Sequence, residues 1–519
     1  MSQTVTQARA PGAWSHREIL VVFVGLATAM LLAALDQTIV ATALPTIVGE
    51  LGGLSQLSWV VTAYLLTLTV SMPLYGKISD LYGRKRLFQF AIALFVAGSA
   101  ACGLSASMSQ LITFRAIQGF GAGGIMALTQ TIVGDIVSPR ERGRYLGYIG
   151  AVFAVASVAG PLLGGYIVDH LDWRWVFWIN VPLGAVALAV TQRNLRLVIR
   201  RRRPQIDYLG AALLSAGVVG LLLALMWDGG RSPWASPVIL GLAAAAAVAL
   251  TAFVFAERRA AEPILPPELF RNRVFAVSSA IVFIVGSAMF ATTTFLPFFL
   301  QAATGISATS SGLLLVPLVG GIFTTVVGSG RLVTRWGRYK VFPIVGTALL
   351  VVGMGLLSSM TAGTNRFQAS TYMVVIGLGI GCIIQVIVTA VQNAVPMHHL
   401  GTATSAVQFF RSIGGMVGVA AFGALLNSRL ALNLTDANLR LPAGSDPQSL
   451  LSTPEAIASA SPAIQGALRG ALADAITSVF LLAVPVMLVA FALSWLLREL
   501  PLRTTISAAP SPADVTEPA

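Results

Sequence analysis

Long apolar runs alternate with short polar segments along almost the whole chain. Many of these runs are about 17 to 25 residues long, the length that an α-helix needs to cross the hydrocarbon core of a bilayer. We predict fourteen membrane-spanning helices from this pattern: a group of six, a pair, and a second group of six. Their predicted bounds are Ile19 to Ala43, Leu57 to Tyr75, Leu87 to Ser105, Leu111 to Val133, Tyr145 to Val168, Trp173 to Thr191, Leu209 to Met226, Val238 to Phe255, Phe275 to Leu300, Gly312 to Ser329, Val341 to Met360, Thr371 to Ala394, Thr402 to Leu426 and Ile476 to Leu497.

The composition excludes a water-soluble globular protein. Of the 519 residues, 56% are hydrophobic and 10% are charged, and the mean hydropathy is +0.81. A chain of this composition with repeated apolar stretches is typical of a multi-pass integral membrane protein. The predicted fold class is therefore all-α.

The basic residues predict the orientation of the helices. Most of the 33 Lys and Arg residues lie in the segments that share one side of the membrane with both termini. Lys and Arg in short loops resist translocation, so we expect both termini in the cytoplasm. The net charge of +13 then reflects contact with anionic lipid of the inner leaflet, and we expect no nucleic-acid partner.

The sequence offers no site for redox, metal or ATP chemistry. Cys102 and Cys382 fall inside apolar runs, and the four His residues lack ligand spacing. The phosphate-binding pattern Gly-x4-Gly-Lys-Ser/Thr does not occur in the chain. We therefore predict that the protein is not an enzyme, needs no cofactor or metal, and draws energy from an ion gradient.

A repeated turn divides the chain into two halves. The segment Gly76 to Arg86, between the second and third runs, recurs in degraded form as Gly330 to Lys340. Internal repeats of this kind build many secondary transporters, whose substrate path lies at the interface of the halves. The predicted organisation is a cytoplasmic tail (1–17), an N-terminal six-helix bundle (18–195), a basic linker with two inserted helices (196–260), a C-terminal six-helix bundle (261–500) with an outer loop (427–475), and a disordered cytoplasmic tail (501–519).

Five motifs, in order, carry a resemblance to a known family. The turn with Gly76, Asp80, Gly83 and Arg84 resembles the motif between helices 2 and 3 of the major facilitator superfamily. The other four are Leu35 to Pro45, Arg115 to Gly124, the helix-5 residues Gly147, Gly160, Pro161, Gly164 and Gly165, and Trp173 to Pro182. Together they are similar to the fourteen-helix drug:proton antiporters. The resemblance implies a major facilitator fold with an inserted helix pair.

Two departures from the family pattern bear on function. Ala156 stands where the helix-5 motif usually has glycine, a mild change because Ala still permits close helix approach. Thr334 replaces the acid of the second-half turn and removes one side of any charge pairing there. In the first-half turn, we expect Asp80 to pair with Arg84 or a helix N-terminus and stabilise one gating state. Simple anchoring at the inner face is the alternative.

Asp36 and Arg115 are the candidates for proton coupling. Asp36 lies about 27 Å along the first helix from Glu18 at 1.5 Å per residue, and Arg115 enters helix 4 near its outer end. A charge at membrane depth is costly, so the two are expected to share a polar environment. Arg115 stays protonated and is expected to assist release of the proton from Asp36. The alternative is a static polar anchor between helices 1 and 4.

Gln118 and Arg411 are possible cavity residues. Gln118 belongs to the helix-4 motif, and Arg411 lies in helix 13 with no obvious acidic partner at its depth. Contacts with backbone carbonyls or a wet cavity are the alternative explanation of Arg411. Because Asp36 is the single carboxylate deep within a predicted helix, neutral and monovalent lipophilic compounds are expected to be favoured over dications.

The resulting functional prediction is a proton-coupled antiporter that exports lipophilic organic compounds or drugs across a bacterial inner membrane. Its expected partners are amphipathic small molecules, protons and the lipid bilayer, and the expected assembly state is a monomer. Two alternatives remain open at this point. One is a dedicated exporter of one metabolite or lipid, and the other is a membrane sensor or scaffold that transports nothing.

Overall fold

The computed structural model describes residues 16–52, 56–195, 206–226, 236–300, 315–361, 363–436 and 462–503. All regular structure in these ranges is helical, and fourteen helices within them are long and apolar enough to cross a membrane, which confirms the predicted fold class. The spanning helices are α1 (His16–Leu51), α2 (Leu57–Tyr82), α3 (Arg84–Gly103), α4 (Met108–Ile136), α5 (Pro139–His170), α6 (Trp175–Trp178 with Asn180–Asn194), α7 (Tyr208–Met226), α8 (Pro237–Glu257), α9 (Arg273–Phe298), α10 (Val316–Trp336), α11 (Val341–Ser358), α12 (Arg366–Ala394), α13 (Leu400–Asp436) and α14 (Pro462–Leu496).

Several helices extend beyond their apolar runs. Helix α5 begins at Pro139 rather than Tyr145, because proline is well suited to the first turn, where its missing N–H would be unpaired anyway. Helices α1 to α6 form the N-terminal half, and α9 to α14 form the C-terminal half. The halves meet mainly where α2 packs on α13 and α5 packs on α10.

The inserted pair, α7 and α8, packs mainly against itself. Helix α7 also touches α2 and α13, whereas most of the α8 surface is exposed, as expected for a helix that faces lipid. The chain after α8 is fixed by Glu257, whose carboxylate accepts hydrogen bonds from the backbone N–H of Ile264 and Leu265 (both 3.1 Å). Nearby, Lys77 of α2 donates to Glu262 (2.6 Å).

Both ends of the predicted outer loop (427–475) are helical, since α13 runs to Asp436 and α14 begins at Pro462. The C-terminal tail predicted from 501 contacts the bundle in its first residues. Arg503 donates to the carbonyl of Asn393 (2.7 Å), whose side chain donates to the carbonyl of Pro501 (3.0 Å). The N-terminal tail before residue 16, the basic linker 196–205, the loop 437–461 and the tail 504–519 lie outside the described residues.

Candidate functional site

Glycine is required at both repeated turns. Gly83 joins α2 to α3 with φ 91°, and Gly337 follows α10 with φ 72°; residues with a side chain rarely adopt these angles. The two turns lie at the same end of the bundle, which we call the motif end. The two turns share a positive-φ glycine but differ in ψ (142° at Gly83, 9° at Gly337), so the second turn follows a different backbone path.

Asp80 joins the two halves at the motif end. Its carboxylate accepts hydrogen bonds from the backbone N–H of Gly401 (3.1 Å) and Thr402 (2.8 Å) and from the Thr402 hydroxyl (2.9 Å). Arg84, one turn further along its own chain, donates to the same carboxylate (2.8 Å). A carboxylate is stabilised at a helix N-terminus by unpaired N–H groups and the helix dipole. Asp80 of α2 therefore caps α13 in the opposite half.

The neighbourhood of Asp80 is tightly packed. The Arg84 guanidinium forms a second ion pair with Asp135 at the end of α4 (2.7 Å), so it links α2 and α4. A Cβ added at Gly76 would lie 2.8 Å from the carbonyl oxygen of Gly401, closer than real side chains approach. Glycine at position 76 thus permits the backbone contact between α2 and α13 that brings Asp80 to its partners.

The second pair of helices across the interface, α5 and α10, meets through two glycines. A Cβ at Gly143 would lie 2.8 Å from the carbonyl oxygen of Gly330. Thr334 donates its hydroxyl to the Gly330 carbonyl within its own helix (2.9 Å), and Arg140 of α5 donates to the Thr334 carbonyl (3.4 Å). The second-half turn therefore lacks the carboxylate cap of the first, and close backbone packing holds this contact.

A buried arginine ties the halves between these two contacts. Arg142 donates to the carbonyls of Val137 (3.0 Å) and Gly134 on its own half and of Gln392 on the other (3.2 Å). The Gln392 side chain donates to the Gln130 carbonyl (3.0 Å). Within the described residues, every hydrogen bond between the halves lies toward the motif end, so this conformation is closed there.

The second cluster lies inside the N-terminal half around Asp36. Arg115 of α4 donates Nη1–H to Asp36 Oδ2 of α1 at 2.5 Å. Gln118, one turn further along α4, donates to Asp36 Oδ1 (2.8 Å), and Asn180 of α6 donates to the same oxygen (3.0 Å). All four side chains are buried. We call these four residues the Asp36 site.

The guanidinium of Arg115 contacts several groups besides Asp36. Besides Asp36, it donates to the Gln118 side-chain oxygen (2.8 Å) and to the Val60 carbonyl (3.3 Å), and its carbon lies 4.0 Å above the Tyr64 ring centre. Tyr64 in turn donates its hydroxyl to the Ala33 carbonyl of α1 (3.2 Å). Two opposite charges in a dry interior stabilise each other only when such partners satisfy their remaining hydrogen bonds.

Asn180 is the member of the Asp36 site that sequence reasoning missed. It lies within the Trp173 to Pro182 motif, and the sequence predicts no role for it. Its side chain bridges Asp36 and the Ser99 hydroxyl (3.0 Å), and its own Oδ1 has no hydrogen-bond partner. An amide in the middle of an apolar run was the available signal, because a polar side chain at membrane depth faces the bundle interior.

Helix α5 packs directly beside the Asp36 site. The Thr38 hydroxyl donates to the Ala156 carbonyl (3.1 Å), and Thr38 also fills the space that a side chain at Gly160 would need. One turn on, a Cβ at Gly164 would lie 2.8 Å from the Ile39 carbonyl oxygen. These small residues let α5 lie against α1 within one turn of Asp36.

The other residues of the helix-5 motif have different surroundings. A Cβ at Gly147 would lie 2.9 Å from the Val326 carbonyl oxygen of α10, so this glycine serves the contact between the halves. Gly165 has open space around it, and Pro161 is exposed within a helix that continues to His170. Helix α5 therefore contacts α1 next to Asp36 on one side and the opposite half on the other.

The two possible cavity residues differ in their surroundings. Gln118 is fully buried and bonded to Asp36 and Arg115, so it belongs to the Asp36 site rather than to an open space. Arg411 is partly exposed in the middle of α13, and its Nε has no hydrogen-bond partner. No ion pair joins Arg411 to any carboxylate of the described residues.

Fourteen helices of the described residues that can span a membrane, buried charges inside one half and polar contacts between the halves are features of a multi-pass membrane transporter and not of an enzyme. The sequence profile of the Major Facilitator Superfamily matches residues 26–419. The chain belongs to this superfamily, which confirms the resemblance drawn from the motifs.

Relatives and solved structures agree with this assignment. The chain is 45% identical to the MFS-type transporter Rv1877 of Mycobacterium tuberculosis strain H37Rv, over 93% of this chain and 70% of that one. It is 41% identical to the multidrug transporter protein MdtP of Bacillus subtilis strain 168, over 82% of this chain and 78% of that one. The crystal structure of the human organic anion transporter MFSD10 has the same fold, with TM-score 0.60 and 16% identity over 90% of this chain and 99% of that one.

Proposed function

We propose that this transporter is a proton-coupled antiporter that exports lipophilic organic compounds across a bacterial inner membrane, with both termini in the cytoplasm. The observation that carries the proposal is the 2.5 Å ion pair between Asp36 and Arg115, buried at membrane depth and adjoining a helix that contacts the opposite half. Multidrug transport by the relative MdtP, as its name states, supports the substrate class.

Asp36 is the proposed proton carrier. Its carboxylate is paired in this conformation, so a proton that binds it neutralises the charge and weakens its attraction to Arg115. Arg115 remains charged under ordinary conditions and does not compete as a second titrating group. Gln118 and Asn180 hold the carboxylate in place, because each donates an amide N–H to Oδ1.

Helix α5 is the proposed link between protonation and gating. It touches α1 at Thr38 next to Asp36 and touches α10 of the opposite half at Gly143 and Gly147. A change in the packing of α1 on protonation can therefore reach the interface between the halves through a single rigid helix. Coupling of this kind needs an element with two arrangements that both sites favour differently.

The Asp80 contact is proposed to stabilise the state closed toward the cytoplasm, in which substrate leaves on the outer side. Opening at the motif end requires Asp80 to leave the N-terminus of α13 and the Gly143–Gly330 contact to separate. Hydrogen bonds to a charged group contribute about 1.5 to 3 kcal/mol each, enough to shift a two-state equilibrium about tenfold or more.

Transport in proteoliposomes tests this function. Purified protein is reconstituted, a pH gradient is imposed, and the movement of fluorescent lipophilic compounds is followed with and without a protonophore. We expect accumulation against the substrate gradient that the protonophore abolishes. Absence of any substrate movement would favour a sensor or scaffold, and movement of one compound from a chemically diverse panel would favour a dedicated exporter.

A further inference from the structure

The C-terminal half contains a charge that the proposed coupling does not use. Arg411 lies in α13, and the sequence from Arg271 to Thr435, which includes α9 to α12 and nearly all of α13, contains neither Asp nor Glu. In the N-terminal half the acid at membrane depth is Asp36, and it is already bonded to Arg115. A cation at membrane depth without a counter-charge is costly, so such residues mark substrate or ion pathways.

Unpaired polar atoms occur on Arg411 and on two glutamines of α12 and α13. Arg411 Nε, Gln408 Nε2 and Gln385 Oε1 are buried without a hydrogen-bond partner in the described residues. Gln408 precedes Arg411 by three residues on α13, so the two side chains share one helix face. Buried polar atoms are normally satisfied, and several unsatisfied atoms together indicate a place for a ligand or water.

The register of α12 and α13 brings Gln385 to the level of Arg411. These antiparallel helices are joined at the motif end by the short 3-10 helix Met397–His399, and above it the Gln392 side chain donates to the Thr404 hydroxyl (3.1 Å). Seven residues correspond to nearly the same face, about 10.5 Å along a helix axis. Gln385 lies seven residues from Gln392 on α12, and Arg411 lies seven residues from Thr404 on α13, both in the direction away from the motif end. The two residues therefore lie at the same level and on the same faces as Gln392 and Thr404.

The backbone of Arg411 is pressed against the neighbouring helix α9. A Cβ added at Gly286 would lie 3.3 Å from Arg411 Cα. A Cβ added at Gly415, one turn further along α13, would lie 2.5 Å from the Phe290 ring. The backbone of α13 at Arg411 is thus packed closely against α9.

We propose that Arg411, oriented by Gln385, and Gln408 bind a single negatively charged oxyanion of the substrate, so that the transported compounds include amphipathic carboxylates. A guanidinium offers several N–H donors in a planar arrangement that matches a carboxylate, and the Gln408 amide adds a donor beside it. The Gln385 oxygen is an acceptor, so its proposed role is to accept from a guanidinium N–H and orient it. This inference rests on the proposed export function and names its substrate class. Exchange of one proton for one such anion moves two charges, against one charge for a neutral compound.

Paired probes that differ in one charge test the site directly. N-dansyl-leucine and its methyl ester share their apolar parts, and their binding to the purified protein is followed by dansyl fluorescence without any proton gradient. We expect Arg411→Gln to weaken carboxylate binding by about tenfold or more, as for a lost hydrogen bond to a charged group, and to change ester binding less than about twofold. Arg411→Lys should lie between the two, because it keeps the charge without the planar donors.

Two further variants separate an effect of the site from a general effect of losing a polar or charged side chain. Gln385→Leu, which leaves the guanidinium in place, should also lower carboxylate binding more than ester binding. Arg273→Gln, at an exposed position at the start of the neighbouring helix α9, should change neither. In proteoliposomes, carboxylate efflux should respond more steeply to membrane potential than ester efflux.

If Arg411→Gln lost the same affinity for the carboxylate as for the ester, Arg411 would have a packing role and the proposal would be overturned. The same comparison is made with a panel of acid and ester pairs. If the wild type bound none of the carboxylates more tightly than Arg411→Gln does, the proposal would be overturned as well. Because the binding assay uses no gradient, its outcome is independent of proton coupling. A failed antiporter assay with intact charge selectivity would contradict the coupling mechanism alone.

Discussion

Asp36 and Arg115 form a direct ion pair, with Nη1 of Arg115 2.5 Å from Oδ2 of Asp36, although α1 and α4 are separated by two helices along the chain. Both side chains are buried within the N-terminal half. The pair does not span the substrate path between the halves. Any effect of its protonation on transport must therefore pass through helices that also contact the other half. These are α5, which packs on α1, and α2 and α4, which hold Arg115.

Removing the charge of Asp80 should shift the gating equilibrium. In Asp80→Asn the amide cannot reproduce the charge-assisted bonds with Arg84 and the N-terminus of α13, so we expect a loss of about 1.5 to 3 kcal/mol from the closed motif end. Turnover should fall while substrate affinity in the wild-type range is kept. Distances between spin labels across the motif end should report more of the open state.

Glu141→Gln is the matched control for that variant. Glu141 is an exposed acid at the same end, whose side chain contacts Ser138 of its own turn (3.3 Å) and nothing across the interface. It should leave turnover and label distances unchanged. A pure loss of substrate affinity in Asp80→Asn, with unchanged turnover, would place Asp80 in the binding site instead.

The glycines of α10 provide a test of the second contact between the halves. Gly330→Ala puts a methyl group onto the Gly143 carbonyl, whereas Gly328→Ala, half a turn away, meets open space. Overpacking costs about 1 to 3 kcal/mol, so Gly330→Ala should destabilise the closed motif end and slow transport. Gly328→Ala should behave as wild type. Similar transport by both variants would show that the halves do not need this approach.

Substitutions in the helix-5 motif should differ in effect according to what each glycine contacts. Gly160→Ala presses on Thr38 beside Asp36, while Gly165→Ala points into open space. We expect Gly160→Ala to reduce proton-driven efflux with little change in substrate binding, and Gly165→Ala to retain both. The comparison is made with equal amounts of reconstituted protein. Equal loss in the two variants would imply that the motif acts through backbone flexibility and not through contact with α1.

The spanning helices and the pairing of Asp36 with Arg115 can be predicted from the sequence. The helices follow from local apolar runs, and the pair follows from the high cost of a charge at membrane depth. A run of apolar residues predicts a span regardless of its neighbours, and an acid such as Asp36 at membrane depth attracts attention wherever it lies. The helix ends were less predictable. Helix α5 starts at Pro139 in a basic segment because its polar first turn lies outside the apolar run that revealed it.

The contact partners of polar residues in different helices can be identified only from the folded structure. Asp80 was expected to pair with Arg84 or a helix N-terminus, and it contacts both, yet nothing local indicates that the helix is α13. Arg142 lies in a basic stretch that predicts only contact with lipid, whereas its guanidinium ties carbonyls of both halves. Asn180 reaches Asp36 because α6 packs against α1, a long-range contact that spacing along the chain does not encode.

The central claim, that Asp36 carries the coupled proton, is tested most directly by proton release on substrate binding. Purified protein in weakly buffered detergent solution is mixed with a neutral lipophilic substrate, and the pH change is followed by an indicator dye. The wild type should release protons, with a yield that saturates with substrate occupancy. Asp36→Asn should bind the same substrate and release none. Proton release by a folded, substrate-binding Asp36→Asn variant at the wild-type yield would contradict the account.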